Sequence, residues 1–222
     1  MNAKYLITDV DGVIFDRMPV YLSAFVKVMQ PFGISEELLR SHYCGTLGTP
    51  IQLQIKGAAS RFGATISEDG LEKMVKDFWN MCEAYPTKLF PNVKEVLDKA
   101  KSQNIFLIAS SGSKTDDLAK FFKEYELPYD FYLGSDKVLK GDEHIDIFAD
   151  HFSVEKKDFC SQAVFIGDGT TDMQIASRNG IFGVGVTNTI SAEILLGAGA
   201  QAIISDIGEL LDILRDREIK IK

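Results

Sequence analysis

No disulfide framework can be drawn from this sequence. Its three cysteines, Cys44, Cys82 and Cys160, are odd in number, far apart, and form no CxxC pair. They read as reduced, mostly buried thiols in a cytoplasmic protein. There is no basic run and no interleaving of aromatic and basic residues, and the formal net charge is −8. Non-specific nucleic-acid binding depends on basic surface, so that class is disfavoured. An anionic substrate is not, because a local cation or lysine outweighs global charge. No apolar stretch reaches the length that crosses a bilayer. Met1-Asn2-Ala3-Lys4 leads into a short strand, not a secretory signal. Internal repeats and low-complexity segments are missing too. Gly183-Val184-Gly185 lacks the third glycine and the helix start of a dinucleotide fingerprint. His42, His144 and His151 lack metal-ligand spacing and read as surface or packing residues.

What the chain does have is enough apolar material for a normal core: 222 residues, 45% hydrophobic and 25% charged. That length suits one large domain or two small ones. Apolar runs of strand length fall at Tyr5–Thr8, Ile105–Ala109, Phe131–Leu133, Ala163–Ile166, Phe182–Val186 and Ala202–Ile204. Their near-continuous hydrophobicity predicts strands buried on both faces, as in a parallel sheet. Helical faces separate most of them: Val93, Val96, Leu97 and Ala100; Leu118, Phe121 and Phe122; Ile207, Leu210, Leu211 and Leu214. The alternation predicts an α/β fold with a doubly wound, Rossmann-like parallel sheet. One connection breaks the rhythm. Between Phe15 and Leu89 no strand is evident, but Tyr21, Phe25 and Val28 share a helix face, as do Leu71, Met74, Val75, Phe78 and Met81. Breaks fall at Pro31-Phe32-Gly33, Gly45–Pro50, Phe62-Gly63 and Pro86. This is an inserted helical domain over 16–89, with the sheet domain formed by 1–15 and 90–222. Asp16 is a candidate cap for its first helix.

The chemistry gathers at strand ends. Tyr5–Thr8 runs into Asp9-Val10-Asp11-Gly12, and Ala163–Ile166 into Gly167-Asp168-Gly169-Thr170-Thr171-Asp172. In an open α/β sheet, ligands bind beyond the carboxyl ends of the strands, where strand order reverses. If those two strands are neighbours, Asp9 and Asp168 face each other and repel. A divalent cation removes the conflict, and hard oxygen ligands suit Mg²⁺. Gly12 lets backbone N–H groups approach an anion. Ser110 ends another strand with a hydroxyl donor, and Ser111-Gly112-Ser113-Lys114 opens the next helix, whose N-terminus favours negative charge. Lys140 offers a point charge to a phosphoryl oxygen, with Lys137 as its rival. Each element alone has a plain alternative: a DxDG is often a turn, and a strand-end serine a cap. Their order along the chain favours one assembled site. Asp9 then attacks phosphorus, and Asp11 exchanges protons with the leaving oxygen and the attacking water.

That order resembles the haloacid dehalogenase superfamily of phosphohydrolases. Asp9-Val10-Asp11-Gly12-Val13, Leu107-Ile108-Ala109-Ser110, Lys140-Gly141 and Gly167-Asp168-Gly169-Thr170-Thr171-Asp172 are similar to its four motifs. The resemblance implies Mg²⁺ held by Asp9, the backbone carbonyl of Asp11, and Asp168. Asp172 would bind it through water or position Lys140. It also implies a helical cap of the phosphoglycolate phosphatase and β-phosphoglucomutase type. A cap loop would close over substrate, and Gly45-Thr46-Leu47-Gly48-Thr49-Pro50 is the candidate, with Gly45 and Thr46 as substrate contacts. The expected activity is a Mg²⁺-dependent phosphatase acting on a small phosphorylated metabolite. A phosphomutase or phosphotransferase on the same scaffold is the alternative. A receiver-like signalling domain is disfavoured by chain length and by the insert. The oligomeric state stays open.

Overall fold

A computed structural model describes residues 3–215. Met1 and Asn2, on which the expectation about a leader partly rests, lie outside the described residues. The chain opens with β1 (Tyr5–Thr8), followed by α1 (Met18–Met29), α2 (Glu36–Cys44), α3 (Ile51–Phe62) and α4 (Glu68–Glu83). It then alternates: α5 (Val93–Ser102), β2 (Phe106–Ser110), α6 (Thr115–Glu124), β3 (Phe131–Leu133), α7 (Asp142–His151), α8 (Lys156–Ser161), β4 (Ala163–Gly167), α9 (Thr170–Asn179), β5 (Phe182–Val186), α10 (Ala192–Gly197), β6 (Ala202–Ile204) and α11 (Leu210–Arg215).

All ladders of the six-stranded sheet are parallel, in the order β3-β2-β1-β4-β5-β6. Strand order reverses at β1, the place where such sheets open a crevice. Side chains alternate across the sheet. Leu6, Leu107, Val164 and Val184 meet α5, α6 and α11 through Val96, Leu97, Leu118 and Leu210. Tyr5, Ile7, Ile108 and Phe165 meet α7, α8 and α9 through Phe148, Phe159 and Ile175. Both faces are covered, which is why the strands read as unbroken apolar runs.

Helices α1–α4 carry an apolar cluster of their own, built on Tyr21, Phe25, Met29, Leu39, Ile55 and Phe78. Fully burying a side chain of this size contributes about 1.5–3 kcal/mol. Ser35 caps α2 by accepting from the Leu38 N–H, and Ser67 caps α4 by accepting from Gly70. The two strands of chain that link this cluster to the sheet run side by side: Asp16 N–H donates to Lys88 O at 2.9 Å and Phe90 N–H to Ile14 O at 3.0 Å. Asp16 is not the cap of α1. Arg17 holds that position, without a side-chain cap bond. All three cysteines are unbridged. No helix among the described residues is long and apolar enough to cross a membrane.

Candidate active site

The strands bring the acids together. β1 pairs with β4 in register, Thr8 beside Ile166, so Asp9 and Asp168 leave adjacent strand ends. Asp172 joins them from the first turn of α9. Asp9, Asp168 and Asp172 are all buried, each with a carboxylate oxygen within 4.8 Å of the others'. Lys140, also buried, sits among them: its Nζ lies 2.9 Å from Asp9 Oδ1 and 2.6 Å from Asp172 Oδ1. Lys137 is exposed on the surface.

Three carboxylates against one ammonium leave an excess of buried negative charge. Burial, partly offset by Lys140 and reinforced by Asp172, pushes the Asp9 carboxyl up to about 7. Asp168 is raised well above the usual carboxylate range by burial, then by Asp9 and Asp172. Burial opposes the charge on Lys140, yet Asp172 and Asp9 prevail and raise its pKa. A hard divalent cation fits this donor set, since it supplies the missing positive charge to oxygen ligands. Two further contacts come from the loop after β5. Thr189 donates its hydroxyl to Asp168 Oδ2, and Asn188 Nδ2 donates to Gly12 O at 2.8 Å. Gly12 has φ +82°, and a Cβ there would collide with the Asp168 carboxylate. Only glycine fits on both counts.

Asp11 sits apart from this cluster. Arg17 Nε donates to its Oδ1 at 2.5 Å and the Ser113 hydroxyl to its Oδ2 at 3.2 Å. Burial works against the charge on Arg17, but the Asp11 carboxylate prevails and raises its pKa. The guanidinium also lies over the Phe121 ring, 4.4 Å from its centroid. So the two acids of the DxDG segment have different partners: Asp9 faces Lys140, and Asp11 faces Arg17 and Ser113.

Ser110 does not face the cleft. It shares a face of β2 with Ile108, so its side chain turns toward α7. There its Oγ lies 2.9 Å from His144 Nδ1. The other ring nitrogen, Nε2, lies 3.0 Å from Val138 O and must donate to it. Burial pushes His144 down to about 4, which keeps it neutral with Nδ1 as acceptor. The Ser110 hydroxyl therefore donates to His144 in this arrangement, and the expected contact with a phosphoryl oxygen would require it to turn from the ring. Ser111 shapes the turn by accepting from Ser113 N–H at 3.1 Å. Gly112 and Ser113 are the members of this segment that line the cleft.

The loop before α3 closes over these elements. Gly112 has no room for a side chain: a Cβ would stand 2.8 Å from Gly48 O. The Cβ of Leu47 lies 3.1 Å from where one on Gly169 would be, and Gly48 packs beside Lys140. Between the loop and the acids lies a cavity lined by Asp9, Asp11, Asp168 and Ser113 below, and by Tyr21, Tyr43, Leu47, Gln54, Phe78 and Trp79 above. Gly45 and Thr46 do not line it. Gly45 ends α2, and Thr46 Oγ1 donates back to His42 O at 2.9 Å. Gly112→Ala is expected to hold this loop off the site. It should lower kcat/KM by roughly 10- to 100-fold with Tm little changed, read by steady-state kinetics beside a thermal melt. An unchanged kcat/KM would mean that the loop contact does not matter for turnover.

Ser113 lies in the segment after β2 that the sequence already marks. Arg17, Gln54, Asn188 and Thr189 belong to no motif, and only the packing of α1–α4 and of the loop after β5 brings them in.

Comparison with known proteins gives a concordant result. The family model described as haloacid dehalogenase-like hydrolase matches residues 6–186. A Thermotoga maritima protein, a phosphorylated carbohydrates phosphatase, is 25% identical over 227 residues, which cover 95% of this chain and 98% of that protein. Among solved structures, a hydrolase from Pseudomonas syringae superposes with a TM-score of 0.80 at 19% identity, over 96% of this chain and 99% of the other. A predicted phosphoglycolate phosphatase from Haemophilus somnus gives 0.76 at 18% identity, over 96% and 98%.

Proposed function

The chain belongs to the haloacid dehalogenase-like hydrolase family, and we propose that it is a Mg²⁺-dependent phosphatase that hydrolyses a small phosphomonoester through a phosphoryl intermediate on Asp9. The observation that carries this reading is the pairing of Lys140 with both Asp9 and Asp172, beside Asp168, at the reversal point of the sheet. The relative from Thermotoga maritima, a phosphatase of phosphorylated carbohydrates, supports a phosphate ester as substrate. Residues 16–89 are assigned as the cap, and 1–15 with 90–222 as the catalytic domain. Unbridged thiols support a cytoplasmic location.

In this mechanism the Asp9 carboxylate attacks phosphorus. The bond from phosphorus to the ester oxygen breaks, its electron pair stays on that oxygen, and Asp11 supplies the proton. Water then attacks the acyl phosphate, gives a proton to Asp11, and releases phosphate and the Asp9 carboxylate. Lys140 holds Asp9 in line and offers charge to the phosphoryl oxygens. Ser113 is the hydroxyl placed to donate to them once it leaves Asp11, and the bare backbone at Gly112 leaves room for the group. Arg17 orients Asp11. Asp9, Asp168 and the carbonyl of Asp11 would hold Mg²⁺, with Asp172 behind them; the ion supplies charge neutralisation for the transferring group. The closed cap loop excludes bulk water.

A panel of phosphorylated metabolites, assayed for phosphate release with Mg²⁺ or with a chelator, tests this reading. Phosphate release that depends on Mg²⁺ is expected. Formation of an isomeric ester without release would make the enzyme a mutase, and activity indifferent to chelation would remove the metal from the account.

A further inference from the structure

Gln54 is buried in the cap wall of the cavity, at 4% exposure. Its Nε2 donates to Thr46 O and to Thr49 O, each at 2.9 Å, and so ties together the closing loop. Those bonds fix the amide orientation. A half-turn of the amide would set Oε1 against two carbonyl oxygens. Oε1 is thereby committed as an acceptor, and it is buried with no hydrogen-bond partner. A buried acceptor without a donor is costly and is the kind of group that a ligand completes.

The rest of the wall narrows what that ligand can be. Among the described residues, none of the cap side chains that line the cavity carries a charge; Gln54 apart, they are aromatic, apolar or small. Burial keeps the Tyr21 and Tyr43 phenols protonated, well above the usual tyrosine range. The core wall adds Asp9, Asp11 and Asp168. Lys140 is paired with Asp9 and Asp172, and Arg17 is paired through Nε with Asp11 while its Nη2 is buried without a hydrogen-bond partner, but neither cation lines the cavity. A second anionic group on the substrate would be desolvated against carboxylates with no cation on the wall to meet it. A hydroxyl would find Gln54 Oε1.

We propose that Gln54 is a specificity-determining residue: it accepts a hydroxyl from the part of the substrate beyond the phosphoryl group, and the uncharged wall selects a neutral, hydroxyl-bearing phosphomonoester against one carrying a second phosphate or a carboxylate. This rests on the phosphatase reading and names the substrate class of that same site.

The test is kcat/KM for phosphate release from a hexose monophosphate, its monodeoxy analogues, a hexose bisphosphate, phosphoglycolate and phenyl phosphate. In the wild-type enzyme one deoxy analogue should lose about tenfold or more. The bisphosphate and the carboxylate ester should each fall below the monophosphate by about tenfold or more. Gln54→Met should bring the hydroxy-to-deoxy ratio close to one. Gln54→Lys keeps a donor toward the Thr46 and Thr49 carbonyls and adds a cation, so it should shift preference toward the carboxylate ester. Equal rates for all deoxy analogues, or preference for a second anion in the wild type, would overturn the proposal even if both variants failed to fold. A hydroxy-to-deoxy ratio unchanged in Gln54→Met would overturn it as well. Phosphate release from phenyl phosphate without discrimination defeats this inference alone. No release from any ester, phenyl phosphate included, defeats the phosphatase reading and this inference with it.

Discussion

Asp9→Asn is expected to lower turnover by roughly 10⁴-fold or more, the scale seen when a covalent nucleophile is removed from a working site. The substitution keeps shape and volume at a buried position, and the backbone N–H of residue 9 still donates to Ile166 O in the ladder. The loss is therefore of chemistry, not of fold. It replaces the attacking carboxylate with a neutral amide, whose oxygen is a poor nucleophile, and unbalances Lys140, whose remaining partner is Asp172. Substrate binding through the cap should persist, so a substrate can still protect the variant against heat. Near-normal turnover of a verified substrate in Asp9→Asn would sink the mechanism.

Asp168→Asn should act differently. In the wild type, Asp9, Asp168 and Asp172 hold more buried negative charge than Lys140 balances. Saturating Mg²⁺ should thus raise stability by about 2.7 kcal/mol at a hundred times its dissociation constant. For a chain of this size that is a rise in Tm of roughly 5–10 °C. In Asp168→Asn the Mg²⁺-dependent rise should largely vanish, and activity should fall with it. The metal-free variant should be no less stable than the metal-free wild type, because one repelling charge is gone. A full Mg²⁺ response in Asp168→Asn, measured by thermal melts with and without chelator, would place the ion elsewhere.

These two residues were legible in the sequence because each follows an unbroken apolar run. Such runs mark strands buried on both faces, and the six expected strands match the observed ones to within a residue at each end. The helical insert was legible as a stretch without strands, and each expected break coincides with the end of a helix or the segment just after it. Helices α2 and α3 themselves were not read. The buried face of α3 is made of Gln54, Ala58 and Ala59 beside Ile51 and Ile55, so its apolar stripe is faint. Nothing in the sequence marks Arg17, a lone cation just before a helix. Only the fold shows that it is buried against Phe121 and paired with Asp11. The partner of Ser110 was not legible, for a reason of parity. A strand-end serine is visible in the sequence, but the face it takes is set by the alternation of β2, and that face belongs to His144. His144 in turn looked like a packing residue, which it is, while also fixing the serine. Choosing between Lys137 and Lys140 needed the path of the loop before α7, which buries one and exposes the other.

The most direct measurement of the central claim is to catch the phosphoryl group on the protein. Wild-type enzyme and Asp11→Asn are mixed with an aryl phosphate and quenched in acid; its leaving group needs little help from a proton, so the variant still forms the intermediate but lacks the base for its hydrolysis. The digested peptides are then weighed with and without hydroxylamine. The account predicts phosphate on the peptide that contains Asp9, accumulating in Asp11→Asn and removed by hydroxylamine as an acyl phosphate. Turnover in the wild type with no adduct on that peptide in either protein, or an adduct on another residue, would contradict it.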